Sequence, residues 1–281
     1  MAVPPERFGS CVLFEGATLR IGAVHCGPEH PDFRAPGPIE RPVFVFPRAS
    51  VWIRRPDQRP VVAGPNVVSL YNAGEEVQRR ALTPRGDRHE WFQVDPSLRF
   101  SVPYAPSDPA CYAVQRALTH YLRTEATPDP LLVEETALGL LDRLTDRARG
   151  VTPQGRDRRR SRPVERAEAY VSVHFRRRET LADLARVAGC SPFHLAHAFR
   201  LHRGSTLHQY RDRLRLCAAL ELVLDGPGDL TALALELGYS SHSHLTAAFR
   251  RRFGLPPSAL RRAASRARVE TLRAHLWGTR S

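Results

Sequence analysis

Thr180 to Gly204 reads TLADLARVAGCSPFHLAHAFRLHRG, and Asp229 to Gly254 reads DLTALALELGYSSHSHLTAAFRRRFG. The two stretches repeat one pattern. An Ala stands four residues before a Gly in each, as Ala185 and Gly189 and again as Ala234 and Gly238. A Ser follows two residues later, Ser191 and Ser240, and a His-Leu pair then precedes a Phe: His194, Leu195 and Phe199, then His244, Leu245 and Phe249. The second copy carries one extra residue at its turn. Leu181, Leu184 and Ala185 share one helical face, as do Leu230, Leu233 and Ala234. The Ala is small where a second helix must cross closely, and the Gly enters positive φ without steric penalty. Beyond the turn, Leu195, Phe199 and His202, or Leu245 and Phe249, form an inward stripe.

Helix, short glycine turn, helix is the helix-turn-helix pattern, whose second helix lies in the major groove of DNA. The segment between the copies predicts a long helix. Ser205 or Thr206 caps it, Leu207, Tyr210, Leu214, Ala218 and Leu222 carry it to Asp225, and Gly226-Pro227-Gly228 stops it. Roughly 20 residues at 1.5 Å each span about 30 Å. Successive major-groove faces on one side of a duplex lie ~34 Å apart, so such a rod suits two reading helices in adjacent grooves.

These features, with the closing Phe253, Gly254, Pro257 and Ser258, make the segment from Val164 to Arg262 resemble the DNA-binding domain of the AraC family of bacterial transcription regulators. Leu260 departs from the pattern, standing where an aromatic residue is more usual. The resemblance implies double-stranded DNA as partner, with both second helices inserted in adjacent major grooves. Their outward faces should carry Phe193, Ala196, His197 and Arg200 in the first unit, and His242, Ser243, Thr246, Ala247 and Arg250 in the second. Arg200 and Arg250 suit phosphates, which set affinity and register. His197 can donate to a base edge; Phe193, Ala196, Thr246 and Ala247 suit thymine methyls, and His242 and Ser243 suit hydrogen bonds. Family members commonly place a long polar residue where this chain has His197 and Ala247, which leaves open which bases are read. His194 and His244, beside the buried Leu, read as structural.

Charge divides the chain the same way. Met1 to Gly155 contains 18 Arg and 18 acidic residues, whereas Arg156 to Ser281 contains 24 Arg against 11, which accounts for the whole net charge of +13. A neutral part joined to a strongly basic one points to a polyanionic partner for the second. Cys11, Cys26, Cys111, Cys190 and Cys217 are odd in number and lack Cys-x-x-Cys spacing, as expected of reduced thiols in a cytoplasmic protein. No apolar run approaches a membrane span, and Met1 to Gly9 lacks the layout of a secretory signal.

The expected fold class is α+β and multidomain. Short strand-like runs occupy Cys11–Phe14, Leu19–Cys26, Pro42–Phe46, Ser50–Arg54, Val67–Tyr71, Val77–Leu82, Glu90–Val94 and Leu98–Val102, with Gly/Pro-rich connections. They predict a β-sandwich or small barrel over residues 1–104; the resemblance favours a cupin-like barrel that senses an effector. His25, Trp52, Tyr71 and Trp91 are the candidate effector contacts, although strand aromatics are more often core. His25 is followed by Cys26, and His30 and His89 stand apart, so the two-His-and-Glu spacing of metal cupins is missing; neither a metal, a cofactor nor a catalytic residue is expected. Two amphipathic helices follow within residues 105–150, the first ending near Pro128 and the second near Gly150. They either pack on their own domain or form a homodimer contact, as such helices do in the family. Residues 151–163 read as a basic linker, 164–263 as the DNA-binding domain opened by a helix with Ala167, Tyr170, Val171 and His174 inward, and 264–281 as a basic terminal helix packed on it. The reading is a non-enzymatic, sequence-specific transcription regulator, with a small-molecule effector and RNA polymerase as the further partners that the resemblance brings. Its alternatives are a cupin-type enzyme fused to a DNA-binding module and an architectural DNA binder without effector response.

Overall fold

The computed structural model describes residues 9–30, 33, 37–56, 58, 60–84, 86–149, 158–226 and 228–278. Residues 1–8, most of the expected linker (151–157), Pro227 of the expected helix stop and the last residues of the tail lie outside them. The chain divides into two compact units, Met1–Ser107 with Leu122–Thr152, and Asp108–Tyr121 with Pro153–Ser281.

The first unit holds nine strands among the described residues: β1 (Gly9–Glu15), β2 (Arg20–Cys26), β3 (Val43–Pro47), β4 (Val51–Arg54), β5 (Val61–Ala63), β6 (Val67–Tyr71), β7 (Gln78–Ala81), β8 (Asp87–Gln93) and β9 (Tyr104–Pro106). Their pairing is antiparallel, in a six-stranded sheet ordered β1-β2-β8-β3-β6-β9 and a three-stranded sheet ordered β5-β4-β7. Alternation sets the register. Ile21 lies opposite Phe92, Phe92 opposite Phe44, and Phe44 opposite Leu70, and all four are buried. Side chains of both sheets, including Cys26, Val43, Val51, Ile53, Ala63 and Tyr71, meet in one apolar cluster. That is a sandwich. β1 and β9 pair on one side only, so the ladder is open and the barrel alternative is corrected.

Three strand expectations also change. Leu98–Val102 is not a strand: the Phe100 N–H donates to Asn72 Oδ1 at 2.8 Å and Asn72 Nδ2 donates to the Phe100 carbonyl at 3.2 Å. An amide side chain does there what a ladder would do. β5 and β9, both unforeseen, pair with β4 over Val61–Ala63 and with β6 over Tyr104–Pro106; a run of three residues is too short to display a period.

Helix α1 (Pro109–Thr124) is followed by α2 (Pro130–Arg149), which packs against β9. Residues 108–121 of the α1 region group with the second unit. The second unit continues with α3 (Arg158–His174), α4 (Leu181–Ala188), α5 (Pro192–Arg203), α6 (Leu207–Asp225), α7 (Leu230–Glu236), α8 (His242–Phe253), α9 (Pro257–Arg262) and α10 (Ser265–Gly278). In it the Tyr112 hydroxyl donates to Glu221 Oε1 at 2.7 Å, and the buried Arg116 pairs with the same carboxylate. α3 starts inside the stretch expected as linker, with Pro163 in its interior; the polar, Arg-rich, Gly- and Pro-containing composition of residues 151–163 reads as a tether and carries no apolar period to mark a helix start. Val164, Ala167 and Val171 of α3 pack with Leu184, Ala185 and Ala188, with Leu195, Ala198 and Phe199, and with Leu207, Tyr210 and Leu214. In α10, Val269, Leu272 and Leu276 are buried, and Arg268 donates to the carbonyls of Leu260 and Arg261 at 3.0 and 2.7 Å, the open end of α9. Among the described residues no helix is long and apolar enough to cross a membrane.

Candidate nucleic-acid interface

Each unit is fixed by its caps. Thr180 and Asp183 form a capping box that starts α4, and Gly189, at φ 73°, ends it in the left-handed conformation. The Ser191 hydroxyl then accepts the His194 N–H and Pro192 occupies the first turn of α5, two features that set its direction. In the second unit Asp229 caps α7, and Ser241 accepts the His244 N–H to start α8. The capping serine is therefore Ser241. Ser240 is the extra residue of the second copy, and it hydrogen-bonds His244 Nδ1 at 3.0 Å. The His244 ring meets Tyr239 edge-on, with centroids 5.2 Å apart, so its contacts are those of the turn.

Leu195, Ala198 and Phe199 seat α5, and Leu245, Ala248, Phe249 and Phe253 seat α8. The four residues expected outward on α5, Phe193, Ala196, His197 and Arg200, are all exposed, as is Leu201. Phe193 is 84% exposed, the most of any large apolar residue described. Its ring lies parallel to that of His197, with an interplanar angle of 8° and centroids 6.4 Å apart. On α8, Ser243, Ala247 and Arg250 are exposed and His242 and Thr246 half-buried. All five line one open concavity of about 670 Å³, with Arg251 and Gly254 at its end. His242 Nε2 and Thr246 Oγ1 lie 3.4 Å apart across one helical turn.

The two faces differ in charge. α8 ends in the exposed Arg250, Arg251 and Arg252. On α5, Arg203 is drawn inward to the buried Glu168, which leaves Arg200. Burial pushes the Glu168 carboxyl up, and Arg203 opposes that shift.

Arg215, in the middle of α6, was not singled out from the sequence. It is buried and donates to the carbonyls of Phe175 (2.8 Å), Arg177 (2.9 Å) and Gly238 (3.1 Å). Phe175 and Arg177 lie in the connection that leads into the first unit, and Gly238 is the turn of the second. One guanidinium, with its fan of donors, thus ties both units to the connecting helix. Tyr239, whose ring centroid lies 5.9 Å from the guanidinium carbon, donates to Asp212 Oδ1 at 3.1 Å. An Arg at helical spacing among Leu214, Leu216 and Cys217 is a signal, though one that also fits a solvated face.

Of the candidate effector residues, Tyr71 and Trp91 meet in one apolar cluster, Tyr71 within the sandwich core and Trp91 packed against it. Trp91 lies over Gly22, where a Cβ would come within 2.1 Å of its ring. Burial pushes the Tyr71 phenol far up, against the pull of Arg55, whose guanidinium carbon stands 4.5 Å from its ring. Trp52 lies under Arg80 on the smaller sheet, 5.6 Å away, and His25 sits opposite Arg88 in the β2–β8 register. Among the described residues no group of three or more His, Cys, Asp or Glu side chains is placed to hold a metal ion.

Residues 184–263 match a family model described as a helix-turn-helix domain. Over 80 residues the chain is 42% identical to the HTH-type transcriptional regulator GlxA of Rhizobium meliloti (strain 1021), covering 28% of this chain and 24% of that protein. It is 36% identical over 83 residues to a putative AraC-like transcription regulator of Streptomyces lividans, covering 30% of this chain and 27% of that one. Among solved structures it is similar to the DNA-binding domain of AdpA in complex with a target DNA, at 29% identity and a TM-score of 0.35, covering 38% of this chain and 95% of that one. The chain thus spans about a quarter of the length of the two curated relatives.

Proposed function

We propose, from the match of residues 184–263 to a helix-turn-helix domain, that the whole chain is a sequence-specific DNA-binding transcription regulator of the AraC type. α5 and α8 enter adjacent major grooves, and α6, 19 residues or about 28 Å long at 1.5 Å per residue, sets their spacing. The observation that supports this most is the doubled unit itself. Two separately capped helices present uncommitted faces, Phe193, Ala196, His197 and Arg200 on one and His242, Ser243, Thr246, Ala247 and Arg250 on the other, while Arg215 ties both to one rod. The open sandwich before them is a cupin-like sensing domain in this reading. A small-molecule effector bound there, a second copy of the chain, or RNA polymerase acts by favouring one arrangement of domains over another.

The test is selection of bound sequences from random and genomic DNA by the full chain, followed by footprinting of the winners. The expected result is one enriched motif with two protected major-groove segments about one helical turn apart. Equal binding to all fragments, or protection confined to one groove segment, refutes it.

A further inference from the structure

The two outward faces differ in chemistry. α8 offers polar side chains and three exposed arginines in a row, a composition suited to hydrogen bonds and phosphates. α5 offers an exposed aromatic ring, a small Ala196, an imidazole and the single outward Arg200. Phe193 stands on the first turn of α5, which the Ser191 cap and Pro192 set, and its ring runs parallel to that of His197 with centroids 6.4 Å apart. The result is an exposed apolar face with a basic side chain two turns further along. A water-exposed Phe carries an unfavourable hydration term that burial against an apolar group relieves. In the major groove that apolar group is the C5-methyl of thymine.

We propose that Phe193, braced by His197, packs on a thymine methyl, so that the half-site facing α5 is specified chiefly through methyl contact and the one facing α8 through hydrogen bonds and charge. This rests on the DNA-reading role proposed above and names the chemical group which that role takes at the first unit. Arg200 supplies the neighbouring phosphate contact that holds the ring in register.

Deoxyuridine tests this directly, because it deletes the methyl and keeps every hydrogen-bonding group of thymine. In the selected site, each thymine of the α5 half-site is replaced in turn and binding of the full chain is measured at fixed salt. The expected penalty is roughly three- to tenfold at one or two positions, the size of one buried methyl. Phe193→Ala should weaken binding to the thymine site by a similar factor and abolish the penalty, while leaving responses in the α8 half-site unchanged. His197→Ala, which unbraces the ring, should reduce the penalty without removing it. As Phe193 is 84% exposed, its loss leaves the fold intact, checked by an unchanged unfolding midpoint. Indifference of the wild-type chain to deoxyuridine throughout the α5 half-site overturns the inference alone, as does a Phe193→Ala chain with an undiminished penalty. Failure to select any motif overturns the DNA-reading role together with it.

Discussion

Gly238 and Gly204 both have positive φ, at 82° and 62°, yet their surroundings give them different weights. A Cβ at Gly238 would lie 2.5 Å from Arg215 Nη2 and 2.6 Å from the Arg176 carbonyl, whereas at Gly204 nothing stands within 4 Å. Gly204→Ala should therefore cost about 1 kcal/mol, the left-handed strain alone. Gly238→Ala should cost about 3 kcal/mol, because it also displaces Arg215 from its carbonyls. Urea unfolding of the two variants measures the difference, and equal midpoints would remove the tight turn from the account. In the sandwich, burial pushes the Asp87 carboxyl up, but His89, at 3.0 Å, and Arg79 more than reverse this and hold it below the ordinary carboxylate range. A carboxyl depressed in the folded state contributes stability above its unfolded pKa and loses it as pH falls through the folded one. Asp87→Asn should accordingly cost about 3 kcal/mol at neutral pH, and the gap to wild type should close below pH of about 4. A gap that stays constant on acidification would show that the charge at Asp87 contributes nothing.

At the scale of elements, Arg215 ties the two helix-turn-helix units to one connecting helix. Arg215→Met preserves helix length and apolar packing but leaves the carbonyls of Phe175, Arg177 and Gly238 without their donor. The expected outcome is at least a tenfold loss of affinity for the full site with little change for the isolated α5 half-site, read by footprints in which α8 protection fades first. A uniform loss over both halves would make Arg215 a general stability residue. The sequence made α4 to α8 legible because there the local signals agree: Thr180, Ser191, Thr206 and Asp229 each cap as their residue type predicts, and glycines follow α4, α5 and α8. The outward residues of α5 and α8 follow from helical period once Leu195, Phe199, Leu245 and Phe249 are set inward. What stayed hidden was settled by contacts distant in sequence. Arg215 reaches carbonyls 23 to 40 residues away, α1 joins α6 through Arg116 and Glu221, 105 residues apart, and Asn72 replaces a ladder partner 28 residues on. No periodicity records such pairs. The pairing of Phe193 with His197 was within reach at i and i+4, but only burial shows that nothing else in the described structure covers the ring.

For the molecule as a whole, the uneven charge makes a quantitative claim about salt. Residues 1–155 balance 18 Arg against 18 acids, and the excess of +13 lies entirely in the remainder. Not every Arg there is free to meet DNA: Arg203, Arg215 and Arg268 are committed to Glu168 or to backbone carbonyls. Arg200, Arg250, Arg251 and Arg252 are exposed on α5 and α8, and their neighbours on the same faces are neutral or imidazole. If these four, with one more Arg from adjoining segments, meet phosphates, log affinity should fall against log salt with a slope of roughly −4.5. That corresponds to a loss of several hundredfold between 50 and 200 mM salt, on the order of the counterion-release law. Arg250→Gln should make the slope shallower by about 1 and weaken all sequences alike. Phe193→Ala should leave the slope where it was while lowering affinity only for the selected site, since a methyl contact releases no counterion. Titrations of the three chains at several salt concentrations separate the two kinds of contact. If the wild-type slope were near −1, the arginines would not be meeting the duplex as a set, and a basic domain alone would say nothing of how this chain holds DNA.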